Sequence, residues 1–106
     1  MAPEGTHSLI LKSERLDDKS IVHCSGDLVA GGCGLLQKAI SELLPDSKPI
    51  MLDLSALEWI DSMGLGTLVR LHVKCKAAGC QLQLVNVGKR IRDLLVLTNL
   101  VGVFAI

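Results

Sequence analysis

Two hydrophobic periodicities take turns along this chain, and their order constrains the fold more than any other feature. Leu9 and Leu11 alternate with Ile10 and Lys12 over residues 8–15, and Val22 and Cys24 alternate with Ile21, His23 and Ser25 over 20–26. Period-two patterns read as strands, and the tight Asp17-Asp18-Lys19 turn between them predicts an antiparallel hairpin. Leu36, Ala39, Ile40 and Leu43 then recur at helical spacing over 33–44, with Pro45 and Asp46 as the stop. A short apolar strand follows over 50–54. Leu65, Leu68, Val69, Leu71, His72 and Cys75 mark a helix over 62–78, ended by Gly79. A strand over 81–87 comes next. Ile91, Leu94, Leu95 and Thr98 give a third helix, with Asn99 as its left-handed stop, and Val101 to Ile106 reads as a last strand.

The resulting order is β-β-α-β-α-β-α-β. Strands separated by helices imply right-handed parallel crossovers. The predicted class is α/β: a mixed, mostly parallel sheet with an N-terminal antiparallel hairpin and helices packed mainly on one face. With 106 residues there is room for one domain, which buries roughly 65% of the unfolded chain's surface and needs no staples. Residues 1–7 read as a loose tail and 8–106 as the domain.

Composition excludes several functions. Lys plus Arg equals Asp plus Glu at 11 each, so no global field draws the chain to nucleic acid or an anionic membrane. One Trp, one Phe and no Tyr make a poor base-stacking surface. Leu94-Leu-Val-Leu97 is the longest strongly apolar run, far short of the ~20 residues that span a bilayer. The N-terminus lacks the basic and apolar regions of a signal peptide, so a cytoplasmic location is expected. Cys24, Cys33, Cys75 and Cys80 form no Cys-x-x-Cys pair and have no His at ligand spacing. They read as reduced, small apolar filler rather than a metal or redox site. No metal and no cofactor are expected.

The chemistry concentrates in Leu52-Asp-Leu-Ser-Ala-Leu-Glu-Trp-Ile-Asp-Ser-Met-Gly-Leu-Gly66. Asp61 and Ser62 stand at a loop-to-helix junction, where the first backbone N–H groups lack helical partners and can receive a phosphate. Either Asp61 or Ser62 would cap the helix, a contribution of about 1 kcal/mol. Gly64 and Gly66 each cost roughly 0.8–1 kcal/mol relative to Ala inside a helix. They imply either close access to the backbone or tight packing of the first turns.

In a parallel sheet the loops at the carboxyl ends of the strands share one edge, where ligand sites form. That edge would gather Gly26 to Gly34, Ser55 to Ser62 and Asn86 to Arg90, and with them Asp27, Asp61, Ser62, Lys89 and Arg90. Lys89 and Arg90 read either as an anion-attracting patch near Ser62 or as a solvated face. Serine catalysis is disfavoured. His72 lies about 15 Å along the helix from Ser62, and there is no Gly-x-Ser-x-Gly elbow. The glycine-rich segment lacks the Gly-Lys-[Ser/Thr] of a P-loop. No catalytic residue is assigned.

The 52–66 stretch resembles the signature of STAS domains, specifically the bacterial anti-sigma factor antagonists. Gly26-Asp-Leu28 matches as well, as does Leu94-Leu-Val-Leu-Thr-Asn-Leu100 with Val103-Phe-Ala-Ile106, so the resemblance spans about 8–106. It implies a non-enzymatic regulator of sigma-factor-dependent transcription. Unmodified, such a protein binds an anti-sigma factor that is also a serine kinase. Phosphorylation at the serine matching Ser62 releases it, and a serine phosphatase resets it. The implied switch surface is Asp27, Val29, Asp61, Met63, Gly64, Leu65 and Gly66. The family often has Asp where Val29 stands and a small residue where Met63 stands, and the segment around 26–34 is unusually rich in glycine. The family also usually continues into a further C-terminal helix. Its absence would uncover Leu and Val side chains and favour self-association. The alternative function is a constitutive STAS scaffold subunit of a transporter or sensory complex, without phosphorylation.

Overall fold

The computed structural model describes residues 8–104. The strands are β1 (Ile10–Arg15), β2 (Ser20–Leu28), β3 (Ile50–Ile60) and β4 (Leu82–Val85), and the helices are α1 (Cys33–Leu43), α2 (Ser62–Ala77), α3 (Lys89–Leu97) and α4 (Val101–Phe104). They form one sheet in the order β1-β2-β3-β4. β1 is antiparallel to β2, and β2–β3 and β3–β4 are parallel, as the alternation of periodicities predicts. Val22, Cys24, Ile50, Leu52, Leu54, Leu82 and Leu84 are buried, whereas the alternate positions 21, 23, 51, 53, 83 and 85 are only half-buried. The helices therefore cover one face, and Leu36, Ile40, Leu68, Leu71, Ile91 and Leu95 complete the core from α1, α2 and α3. No described helix is long and apolar enough to cross a membrane.

Two elements differ from expectation. β3 runs on through Ile60, where a loop was expected from Ser55. Its register against β2 shifts between His23 and Ser25 and again between Gly26 and Asp27. Each shift inserts an extra β3 residue, a β-bulge that turns the strand on its axis. Beyond Leu54 the buried positions are therefore Leu57 and Ile60, three apart, and the period-two signal disappears.

The second difference is the predicted strand over 101–106: Val101–Phe104 is a helical turn. Asn99 adopts φ +60°, and the Leu100 N–H returns to Leu95 O at 2.8 Å. This left-handed closure of α3 aims the chain back into a new turn, in which Val103 and Phe104 donate to Leu100 O. Phe104 is buried and meets His72 edge-on at 5.5 Å between ring centres. The remainder of the predicted strand, and the predicted tail over 1–7, lie outside the described residues.

On the open face an ionic clasp crosses three strands. His23 Nδ1 lies 3.0 Å from Asp53 Oδ2, and Nε2 meets Glu14. Glu14 first, with Asp53 assisting, raises the His23 pKa above its ordinary 6.5. Asp53 is lowered, chiefly by the Ser55 N–H donated to its Oδ1. A raised folded-state pKa gives a stabilisation that is complete below the unfolded value and fades as pH rises through the folded one. We therefore expect urea midpoints to fall as pH rises above about 6.5 through the raised His23 pKa, and His23→Gln to flatten that part of the profile. His23 imidazole shifts followed by NMR would check the direction; a midpoint below 6.5 contradicts it.

Candidate functional site

The carboxyl ends of β2 and β3 lie side by side, with Asp27 opposite Trp59 and Leu28 opposite Ile60. One residue beyond Ile60 the chain becomes helical. Asp61 holds an extended conformation (φ −104°, ψ −176°), and its carboxylate accepts the Gly64 N–H at 2.8 Å. Asp61 is thus the cap, which leaves Ser62 as the first residue of α2. The Ser62 side chain is exposed, and its hydroxyl makes no hydrogen bond among the described residues. The N–H groups of Ser62 and Met63 precede the first intrahelical bond, Leu65 N–H to Asp61 O at 2.9 Å, and face outward. An exposed hydroxyl next to unpartnered amides at the positive end of a sixteen-residue helix is a place where added negative charge is tolerated.

The two glycines have different causes. A Cβ on Gly64 would collide with Leu28 O and stand 2.7 Å from Ile60 Cγ1. Leu28 O also accepts the Asp61 N–H at 3.3 Å. Gly64 is therefore the point where the amino end of α2 docks against the ends of β2 and β3. Gly66 is open by comparison, and its nearest neighbour is the flexible Arg70 guanidinium at 3.4 Å. Arg70 in turn donates to Thr67 Oγ1 at 3.2 Å. Tight packing, then, explains Gly64 but not Gly66.

Around this junction Asp27 is buried, Val29 and Leu65 are half-buried, and Met63 is 51% exposed. Val29 O receives the Gly32 N–H at 2.8 Å and the Cys33 thiol at 3.3 Å, which curls the glycine-rich segment into a 3-10 turn over 30–32. Lys89 and Arg90 open α3. They line a shallow cleft of about 550 Å³ together with Trp59, Asp93, Leu94 and Leu97. Lys89 pairs with Asp93 at 2.9 Å, and neither cation bonds to Ser62 among the described residues. The structure thus joins Lys89 and Arg90 to Trp59 rather than to the serine. Trp59 (47% exposed) and Leu97 (81% exposed) are the surface residues that periodicity missed. The signal available was a single Trp among so few aromatics; its outward position on β3 appears only in the structure. No group of three or more His, Cys, Asp and Glu among the described residues could hold a metal.

This geometry separates two matched substitutions. Gly64→Ala should destabilise the fold by about 1–3 kcal/mol through overpacking. Gly66→Ala should be neutral or stabilising by up to about 1 kcal/mol through helix propensity. Paired urea titrations would check this; equal effects would contradict the docking role of Gly64.

Residues 11–106 match the STAS domain family. The chain is similar to an anti-sigma factor antagonist from Mycobacterium paratuberculosis, with 30% identity, a TM-score of 0.76, and coverage of 92% of this chain and 84% of that one. It is also similar to a putative anti-sigma factor antagonist from Thermotoga maritima, with 29% identity, a TM-score of 0.78, and coverage of 88% and 81%. The same fold occurs within the murine anion transporter solute carrier 26 family member A9, at 22% identity and a TM-score of 0.71, over 84% of this chain and 15% of that chain. The Asp61–Ser62 helix start on a mixed four-stranded sheet, together with a family match over nearly the whole chain, makes this protein a member of the STAS domain family.

Proposed function

We propose that the protein is a non-enzymatic, cytoplasmic anti-sigma factor antagonist that switches partners through phosphorylation of Ser62. One observation carries the reading: Asp61 performs the capping, so the Ser62 hydroxyl is exposed and uncommitted. Likeness to two anti-sigma factor antagonists supports it. The unmodified surface around Asp27, Val29 and Asp61 to Gly66 binds an anti-sigma factor serine kinase and frees the sigma factor. A phosphate adds about −1.5 to −2 charges. At the amino end of α2 the fold tolerates that charge, so its effect falls on the interface, through repulsion and lost burial. A serine phosphatase restores the binding form.

A cognate anti-sigma kinase with ATP should place one phosphoryl group on the chain, at Ser62, and Ser62→Ala should abolish it. Ser62→Glu should weaken kinase binding at least tenfold, equivalent to about 1.4 kcal/mol, with an unchanged circular dichroism spectrum. Modification elsewhere, or an unfolded Ser62→Glu protein, would contradict the switch. The transporter likeness favours a second reading, a scaffold without phosphorylation. Under that reading Ser62 stays unmodified and a pull-down recovers a transporter or sensory subunit.

A further inference from the structure

All four cysteines are free and buried, but they are not equivalent. Cys24 sits within β2 and Cys33 in the first turn of α1, and each thiol points to a backbone carbonyl of its own neighbourhood. Cys75 and Cys80 instead close one helix end and are joined through their backbones. α2 ends in a left-handed closure at Gly79 (φ +72°), in which the Cys80 N–H donates to Cys75 O at 2.8 Å and the Gly79 N–H donates to Lys76 O at 3.1 Å. In such a closure the residue after the left-handed position packs its side chain against the last turn of the helix. Here both side chains are thiols, at the two positions that this closure brings together.

Access is one-sided. Cys80 lines a cleft of about 410 Å³ with His72, Lys76, Gln81 and Phe104, and its thiol reaches Lys48 O at 3.1 Å. Cys75 is fully covered. Burial pushes the Cys75 thiol up to about 11, with the neighbouring Cys80 adding to the shift. It therefore stays protonated at neutral pH, while Cys80, 7% exposed, borders the cleft.

We propose that Cys75 and Cys80 form a reversible dithiol–disulfide pair, oxidised by a small hydroperoxide entering this cleft, and that the disulfide staples the end of α2 to the start of β4. Cys80 sulfur attacks the peroxide, and the O–O bond breaks. The alcohol, or water in the case of hydrogen peroxide, leaves with the thiol proton, and Cys80 becomes a sulfenic acid. Cys75 sulfur then attacks Cys80 sulfur. The S–S bond forms, the S–O bond breaks, and the hydroxyl departs with the Cys75 proton as water. Two thiols lose two electrons in total, and the peroxide gains them. A disulfide needs the two backbones within roughly 4.4–6.8 Å at Cα, and the backbone hydrogen bond between the same two residues holds them close.

Lys74 and Lys76 flank Cys75, so trypsin separates the two thiols unless they are bonded. The folded protein is treated with hydrogen peroxide, alkylated, denatured and digested. Titratable thiols should fall from four to two and return fully with dithiothreitol. The dipeptide Cys75-Lys76 should appear linked to the peptide spanning 77–89. In Cys75→Ala, Cys80 should stop at a sulfenic acid that dimedone traps. The proposal is overturned if all four thiols stay free, if the link involves Cys24, Cys33 or a second chain, or if Cys80 overoxidises with no link. The wild-type peptide map decides this without relying on the folding of any variant.

Discussion

The candidate site depends on one contact, the carbonyl end of β2 against the amino end of α2. Leu28 O receives the Asp61 N–H and faces Gly64, where any side chain would intrude. Without that approach the helix start would stand off from the sheet. With it, Asp61 is held where its carboxylate closes onto the Gly64 N–H. Capping and docking thus act on the same three residues. Ser62 is displayed because the junction is held without it: Asp61 makes the cap and Gly64 meets the sheet.

How much of this was legible in the sequence follows from how local each signal is. The hairpin, the parallel crossovers and the helix ends at Gly79 and Asn99 were readable because periodicity and left-handed stops belong to single segments; both stops adopt positive φ. The second half of β3 was not readable. Its bulges are a property of pairing with β2, and Leu54, Leu57 and Ile60 alone give a spacing of three that resembles a helix as much as a strand. Val101–Phe104 misled for a related reason: a short apolar run fits either state, and the turn at Asn99 decided it.

The site divides in the same way. The Asp61–Ser62 junction could be read because capping is a local event, although which residue caps depends on backbone geometry. The cleft at Trp59 could not, because it exists only once α3 has been laid beside β3. Lys89 and Arg90 were placed correctly at the edge of the sheet, yet their neighbour is an indole rather than the serine. The thiol pair was hidden as well, because a spacing of five residues brings side chains together only across a helix end of this kind.

The closure at Gly79 also bears on how firmly α2 is held. The helix is fixed at its amino end by Leu28 and at its carboxyl end by the bonds that Gly79 and Cys80 return to it. A strut held at both ends has little room to rotate or slide. The surface that α2 displays is therefore preorganised, and under the proposed function a partner docking there would order few new backbone degrees of freedom. Recognition by such a surface would be a reading of fixed shape and charge, so that an affinity built on it would answer directly to whatever is added to or removed from its exposed first turn.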